Sequence, residues 1–99
     1  MSAKSFLNRT DAEIMEAIGK RLRAARGRMR QAEAAERAGL TRQTVSRAEQ
    51  GDNPTLATIV RLLRVYGLLG VLESFLSEAQ VSPMALLRDA QKGGGGTRG

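Results

Sequence analysis

Residues 31–51, QAEAAERAGLTRQTVSRAEQG, constrain this chain more than any other stretch of it. Ala32, Ala34, Ala35 and Ala38 suit a short helix that another element approaches closely. Gly39 can close that helix because glycine takes positive φ at little cost. Thr41 then offers a side-chain oxygen to cap the next helix, which runs to about Gln50 and stops at Gly51. Two helices joined by so short a turn must cross closely, and Ala35 is the small residue at the crossing. Val45 and Ala48 face inward from the second of them. Arg42, Gln43, Ser46 and Arg47 stay on its outer side, where a packed core would not call for them.

The rest of the chain supplies partners for this pair. Thr10-Asp11-Ala12-Glu13 reads as a capping box. It opens a first helix with Ile14, Ile18, Leu22 and Ala25 on one stripe and Gly27 at its end. Asp52-Asn53-Pro54 is a turn. Thr55 caps a fourth helix carrying Leu56, Ile59, Val60, Leu62, Leu63 and Tyr66, with Gly67 as its break. Leu68, Leu69, Leu72, Phe75, Leu76 and Ala79 have the spacing of a fifth helix over residues 69–79. Ser82-Pro83 opens a short helix from Met84 to Gln91, and residues 93–99 form a glycine-rich flexible tail. Aromatic residues make up only 3% of the 99, so the core must be built from Ala, Leu, Ile, Val and Met. The expected fold is all-α: a compact five-helix domain over residues 10–80, preceded by a flexible arm, 1–9, and followed by 81–99.

Charge and missing residue types narrow the function. The net charge is +6, but between residues 20 and 47 nine basic residues face only Glu33 and Glu36. That window carries +7 and the remainder of the chain −1. Thirteen of the sixteen basic residues are Arg, whose planar fork suits phosphate and guanine. A basic window of this kind is the footprint of a nucleic-acid partner. Cysteine and histidine are absent, which removes disulfides, thiolate sites and the commonest general base and metal ligand. Asp11, Glu13, Glu16, Glu73 and Glu78 fall on helix surfaces with no phosphate-cradling loop beside them, so neither catalysis nor a cofactor or metal is expected. No run is apolar enough to span a bilayer and MSAKSFLNRTD lacks the apolar core of a signal peptide, so a cytoplasmic setting is the default.

Two close helices with polar side chains on the outside of the second make a helix-turn-helix, whose second helix enters the major groove. Gln31-Ala32-Glu33-Ala34-Ala35, Gly39-Leu40-Thr41 and Val45-Ser46-Arg47-Ala48-Glu49-Gln50-Gly51 resemble the phage repressor/Cro-like (Xre) family, with LRAARG before and PTLATIVRLLRVYG after. The resemblance covers about two thirds of the chain. It implies that Arg42, Gln43 and Arg47 read bases, with Ser46 a weaker reader. It makes Gln31 a phosphate contact beside a helix N-terminus. Arg30, Thr41, Thr44 and Asn53 are further phosphate candidates, although capping and turn-making account for Thr41 and Asn53 equally well, and Arg30 suits a solvated surface as well. Arg23 and Glu49 resemble a family pair tying the first helix to the end of the third. Arg61 and Arg64 read as solvated. Two departures stand out. Ala34 and Ala48 are smaller than the family's Leu-like residues, which calls for a larger side chain from the first or fourth helix. Arg30 stands where a Ser or Thr cap is usual.

TLATIVRLLRVYGLLGVLESFL followed by SPMALL also resembles the HipB-like antitoxins, which implies a toxin protein encoded in the same operon as an alternative partner. One helix-turn-helix touches few base pairs, so a homodimer on palindromic double-stranded DNA is expected. Leu68, Val71, Leu72, Phe75 and Leu76 offer more apolar surface than one small domain needs and are the candidate dimer interface. Against all this stands a protein-binding helical module in which Arg42, Gln43 and Arg47 are ordinary surface.

Overall fold

The computed structural model describes residues 5–82 and 84, and every element among them is helical. The order is a 3-10 turn at Phe6–Asn8, α1 (Asp11–Arg26), α2 (Gln31–Ala38), α3 (Arg42–Glu49), α4 (Leu56–Val65), a second 3-10 turn at Leu69–Glu73, and α5 (Glu78–Val81). The chain divides after Leu69 into two units.

In the first unit, caps set the helix starts. Thr10 accepts from the Glu13 amide at 3.1 Å while Glu13 accepts from the Thr10 amide at 3.0 Å, a complete capping box. Thr41 and Thr55 accept from the Thr44 and Thr58 amides in the same way. Arg30 at the head of α2 makes no side-chain cap bond. The ends of α2, α3 and α4 share one closure. In α2, the Leu40 amide returns to the Ala35 carbonyl at 2.8 Å and the Gly39 amide to Glu36 at 3.3 Å, with Gly39 left-handed at φ 72. Asp52 and Gly51 repeat the pair of bonds on Arg47 and Ala48, and Leu68 and Gly67 on Leu63 and Arg64.

Leu22, Ala34, Ala35, Ala38, Val45, Ala48, Leu62 and Leu63 form the buried core. Leu22 of α1 and Leu62 of α4 are buried in the same core as the small Ala34 and Ala48. At Ala48 the space is closed by backbone approach. A Cβ placed on Gly19 would lie 2.5 Å from the Glu49 carbonyl oxygen and 2.9 Å from that of Ala48. One placed on Gly51 would lie 2.7 Å from the Met15 carbonyl oxygen. Glycines at both places let α1 rest on the backbone at the end of α3. Arg61, expected to be solvated, instead donates from Nη1 to the Ala38 carbonyl at 3.2 Å and ties α4 to the end of α2. The described part of the expected N-terminal arm, residues 5–9, contains the Phe6–Asn8 turn, whose Phe6 ring lies 4.9 Å beneath the Arg21 guanidinium.

The second unit departs from the expected continuous helix over 69–79. A 3-10 turn ends at Glu73, Leu76 takes φ 53, and α5 starts only at Glu78. The cause is local. Ser77 and Gln80 form a capping box, with the Gln80 amide donating to Ser77 Oγ at 3.2 Å and the Ser77 amide to Gln80 Oε1 at 3.3 Å. That box starts a new helix and puts its N-cap where the old one would continue. The expected helix from Met84 to Gln91 and the tail over 93–99 lie outside the described residues apart from Met84 itself.

Candidate nucleic-acid interface

Helix α3 is short, so its outer face is set by its start. Thr41 caps its first turn, and Arg42 and Gln43 are exposed there while Val45 and Ala48 are buried. Arg47 is exposed one turn later and Ser46 half-buried between them. All four expected base readers thus share the side of α3 opposite its core residues.

Two open depressions flank this helix. The larger, about 620 Å³, runs past α2 and brings Arg23, Arg30, Gln31, Arg42 and Ser46 together. The smaller, about 330 Å³, lies toward the α3–α4 turn and joins Thr44, Arg47, Asn53 and Thr55. The expected phosphate residues therefore separate into an α2 flank, with Arg30 and Gln31, and an α4 flank, with Thr44 and Asn53. Thr41 and Gln43 line neither depression.

The side chains are held in place by a network centred on Glu49. Its carboxylate accepts from Arg26 twice, Nε to Oε2 at 2.6 Å and Nη2 to Oε1 at 2.9 Å. The pair is buried, with side-chain exposures of 13% for Arg26 and 4% for Glu49. The third Arg26 nitrogen, Nη1, donates to the Met29 carbonyl at 2.6 Å and fixes the loop between α1 and α2. Arg26, not the expected Arg23, is thus the partner of Glu49. Arg26 follows Leu22 by four residues on the buried stripe of α1, whereas Arg23 lies about 100° round the helix.

Glu49 Oε1 also accepts from Gln31 Nε2 at 3.0 Å, and Gln31 Oε1 accepts from Arg42 Nη1 at 3.2 Å. A buried carboxylate on α3 therefore positions a phosphate candidate on α2, which in turn steadies a base-reading candidate on α3. Gln31 keeps one amide hydrogen for an outside acceptor. On the other flank Arg47 Nε donates to Asp52 Oδ2 at 3.1 Å, which leaves its two terminal nitrogens for a bidentate contact. Gln50 Nε2 donates to Ser46 Oγ at 3.2 Å. Thr41 Oγ1 is spent on capping and on a 2.8 Å bond to the Thr44 hydroxyl. Asn53 holds the turn at φ 54, a conformation asparagine tolerates.

Electrostatics favour the charged form of this network. Burial pushes the Glu49 carboxyl up, but hydrogen bonds from Arg26 and Gln31 and the charges of Arg26 and Arg23 outweigh it and hold the group below its ordinary range. The Glu49 hydrogen bond raises the Arg26 guanidinium in turn. The Tyr66 hydroxyl, buried without a hydrogen-bond partner, is raised by burial and then by the Glu49 charge. Sequence patterning did not mark Arg26, Gly19, Asp52 or Tyr66 as part of this region. Of the expected dimer residues, Leu68, Val71, Phe75 and Leu76 are exposed and Leu72 is half-buried.

Among the described residues there is no cluster of acidic residues able to hold a metal ion, and no helix is long and apolar enough to cross a membrane. No curated protein and no solved structure matches this chain. A family model does: that of the helix-turn-helix domain matches residues 17–76, from the middle of α1 through α4 and on to Leu76. The match spans more than half of the 99 residues, and the chain belongs to the helix-turn-helix domain family.

Proposed function

We propose that this chain is a non-catalytic, cytoplasmic, sequence-specific regulator that binds double-stranded DNA as a homodimer and represses its own operon. In this reading α3 lies in the major groove of each half of a palindromic operator. Arg42 and Arg47 take guanine O6 and N7, Gln43 takes adenine N6 and N7, and Ser46 adds a single contact. Arg30, Gln31, Thr44 and Asn53 meet the phosphates on the two flanks, and Thr41 holds the helix start against the backbone. The copies associate through the apolar residues from Leu68 to Leu76. One observation carries the proposal: four polar side chains share the outer face of a capped helix with cationic or polar depressions on both sides of it.

The test is binding to duplexes selected from a random pool. Arg42→Ala and Arg47→Ala should each cost about 1–3 kcal/mol on the selected sequence and relax the preference at one position. Arg30→Ala should weaken all duplexes alike. Unchanged preference in both the Arg42 and Arg47 variants would overturn the assignment of α3. The antitoxin reading draws on the resemblance over residues 55–87 and on Met84, exposed beyond the proposed dimer residues. Co-purification with the product of an adjacent kinase-like gene tests it.

A further inference from the structure

On α4, away from the DNA-facing depressions, lies an open apolar trough of about 630 Å³ to which no α3 residue contributes. Leu56, Ala57, Val60 and Val65 give it an apolar lining, and Leu56 is 59% exposed. Arg37, Arg61 and Arg64 stand around it. Arg37 is shared with Glu33 in an exposed pair, and Arg61 gives one nitrogen to the Ala38 carbonyl. Arg64 meets no carboxylate among the described residues. Three guanidinium groups round an apolar lining suit neither the DNA backbone, which has no use for the lining, nor a neutral peptide, which has none for the rim.

The chain itself carries a segment of the matching chemistry. Between residues 65 and 87 there is no Lys or Arg, only the acidic Glu73 and Glu78 among apolar residues. Val71, Phe75 and Leu76 are 54%, 55% and 68% exposed. Two such segments packed on each other would bring four carboxylates together with no cation of their own, an arrangement that like-charge repulsion disfavours. The arginine-rimmed trough removes that conflict and covers both apolar surfaces. We propose that residues 71–81 of a second copy seat in this trough, apolar side chains on its apolar lining and Glu73 and Glu78 against Arg61 and Arg64. Around a two-fold axis the exchange is reciprocal, each copy giving one segment and receiving one. The inference rests on the dimer proposed above and specifies what its apolar residues pack against.

Because the chain has no cysteine, single introduced cysteines report contacts cleanly. A tagged copy carrying Ala57→Cys is mixed with an untagged copy carrying Phe75→Cys and oxidised mildly. The expected result is a mixed disulfide dimer in excess of either self-dimer. A Phe75→Cys self-dimer without the mixed species, or no disulfide dimer at all, overturns the proposal. In parallel, analytical ultracentrifugation should show Arg64→Glu weakening the dimer at least tenfold, with Glu78→Arg in the same chain restoring it. Circular dichroism checks that both variants remain helical. A wild-type dimer that Arg64→Glu leaves intact overturns the trough alone. A wild type that is monomeric both free and on selected DNA overturns the dimer itself, and the trough with it.

Discussion

Glu49 belongs to the last turn of α3, yet its oxygens serve α1 through Arg26 and α2 through Gln31. Removing it leaves Arg26, whose side chain is 13% exposed, without its carboxylate and with the Met29 carbonyl as its remaining partner. Breaking a buried pair from one side costs about 3–5 kcal/mol. Glu49→Ala should therefore lower Tm by more than about 12 °C in a domain of this size. It should also loosen Gln31 and Arg42, so that specificity falls even where the variant is still folded. The pH dependence has a definite sign. The folded carboxyl sits below its ordinary value, so its contribution is complete above the unfolded pKa of about 4.3 and is lost as pH falls through the folded value. The Tm difference between wild type and Glu49→Gln should stay constant from pH 7 to about 5 and narrow below about 4. A gap that does not change with pH would mean that folding leaves the Glu49 pKa unshifted, and one that narrows as pH rises would mean that the carboxyl is held neutral in the fold.

At the scale of elements, most of α1 to α4 was legible because their ends are written in local chemistry. Thr10, Thr41 and Thr55 each cap the helix expected of them, and Gly39, Gly51 and Gly67 end theirs at positive φ. What was not legible depends on distance in space. Gly19 looks like a mild weakness in a helical stripe, and nothing in its neighbours reveals the α3 carbonyls against it. The choice of Arg26 over Arg23 turns on a few tens of degrees of helix rotation. The break at Leu76 was readable in part: Ser77 and Gln80 have capping-box spacing, but the apolar periodicity across them reads as one helix. Gly19 gives the sharper test. Alanine there should gain up to about 1 kcal/mol of helix propensity. It also drives a methyl against backbone oxygens that cannot rotate away, and overpacking of this kind costs about 1–3 kcal/mol. Gly19→Ala should therefore lower Tm, and a raised Tm would show that α1 rides further from α3.

For the whole molecule, the uneven charge decides how DNA affinity must respond to salt. The window from residue 20 to 47 carries +7 while the rest sums to −1, so attraction to phosphates is concentrated on α1 to α3. Each phosphate neutralised on duplex DNA releases condensed counterions and adds about −0.9 to the slope of log affinity against log salt. If a dimer neutralises about six phosphates, the slope is about −5, a loss of roughly a thousandfold between 50 and 200 mM. Affinity that is flat over that range would rule out the interface. The same slope also reports stoichiometry. Arg30 has no cap bond to lose and lines the α2-side depression, so Arg30→Ala should remove a phosphate contact and leave the helices intact. One copy on the DNA then loses about 1 from the slope, and a two-fold dimer about 2. Fluorescence anisotropy titrations of wild type and Arg30→Ala at four or five salt concentrations separate these cases. A change near 2, on selected and unrelated duplexes alike, is expected if two copies bind through the same face.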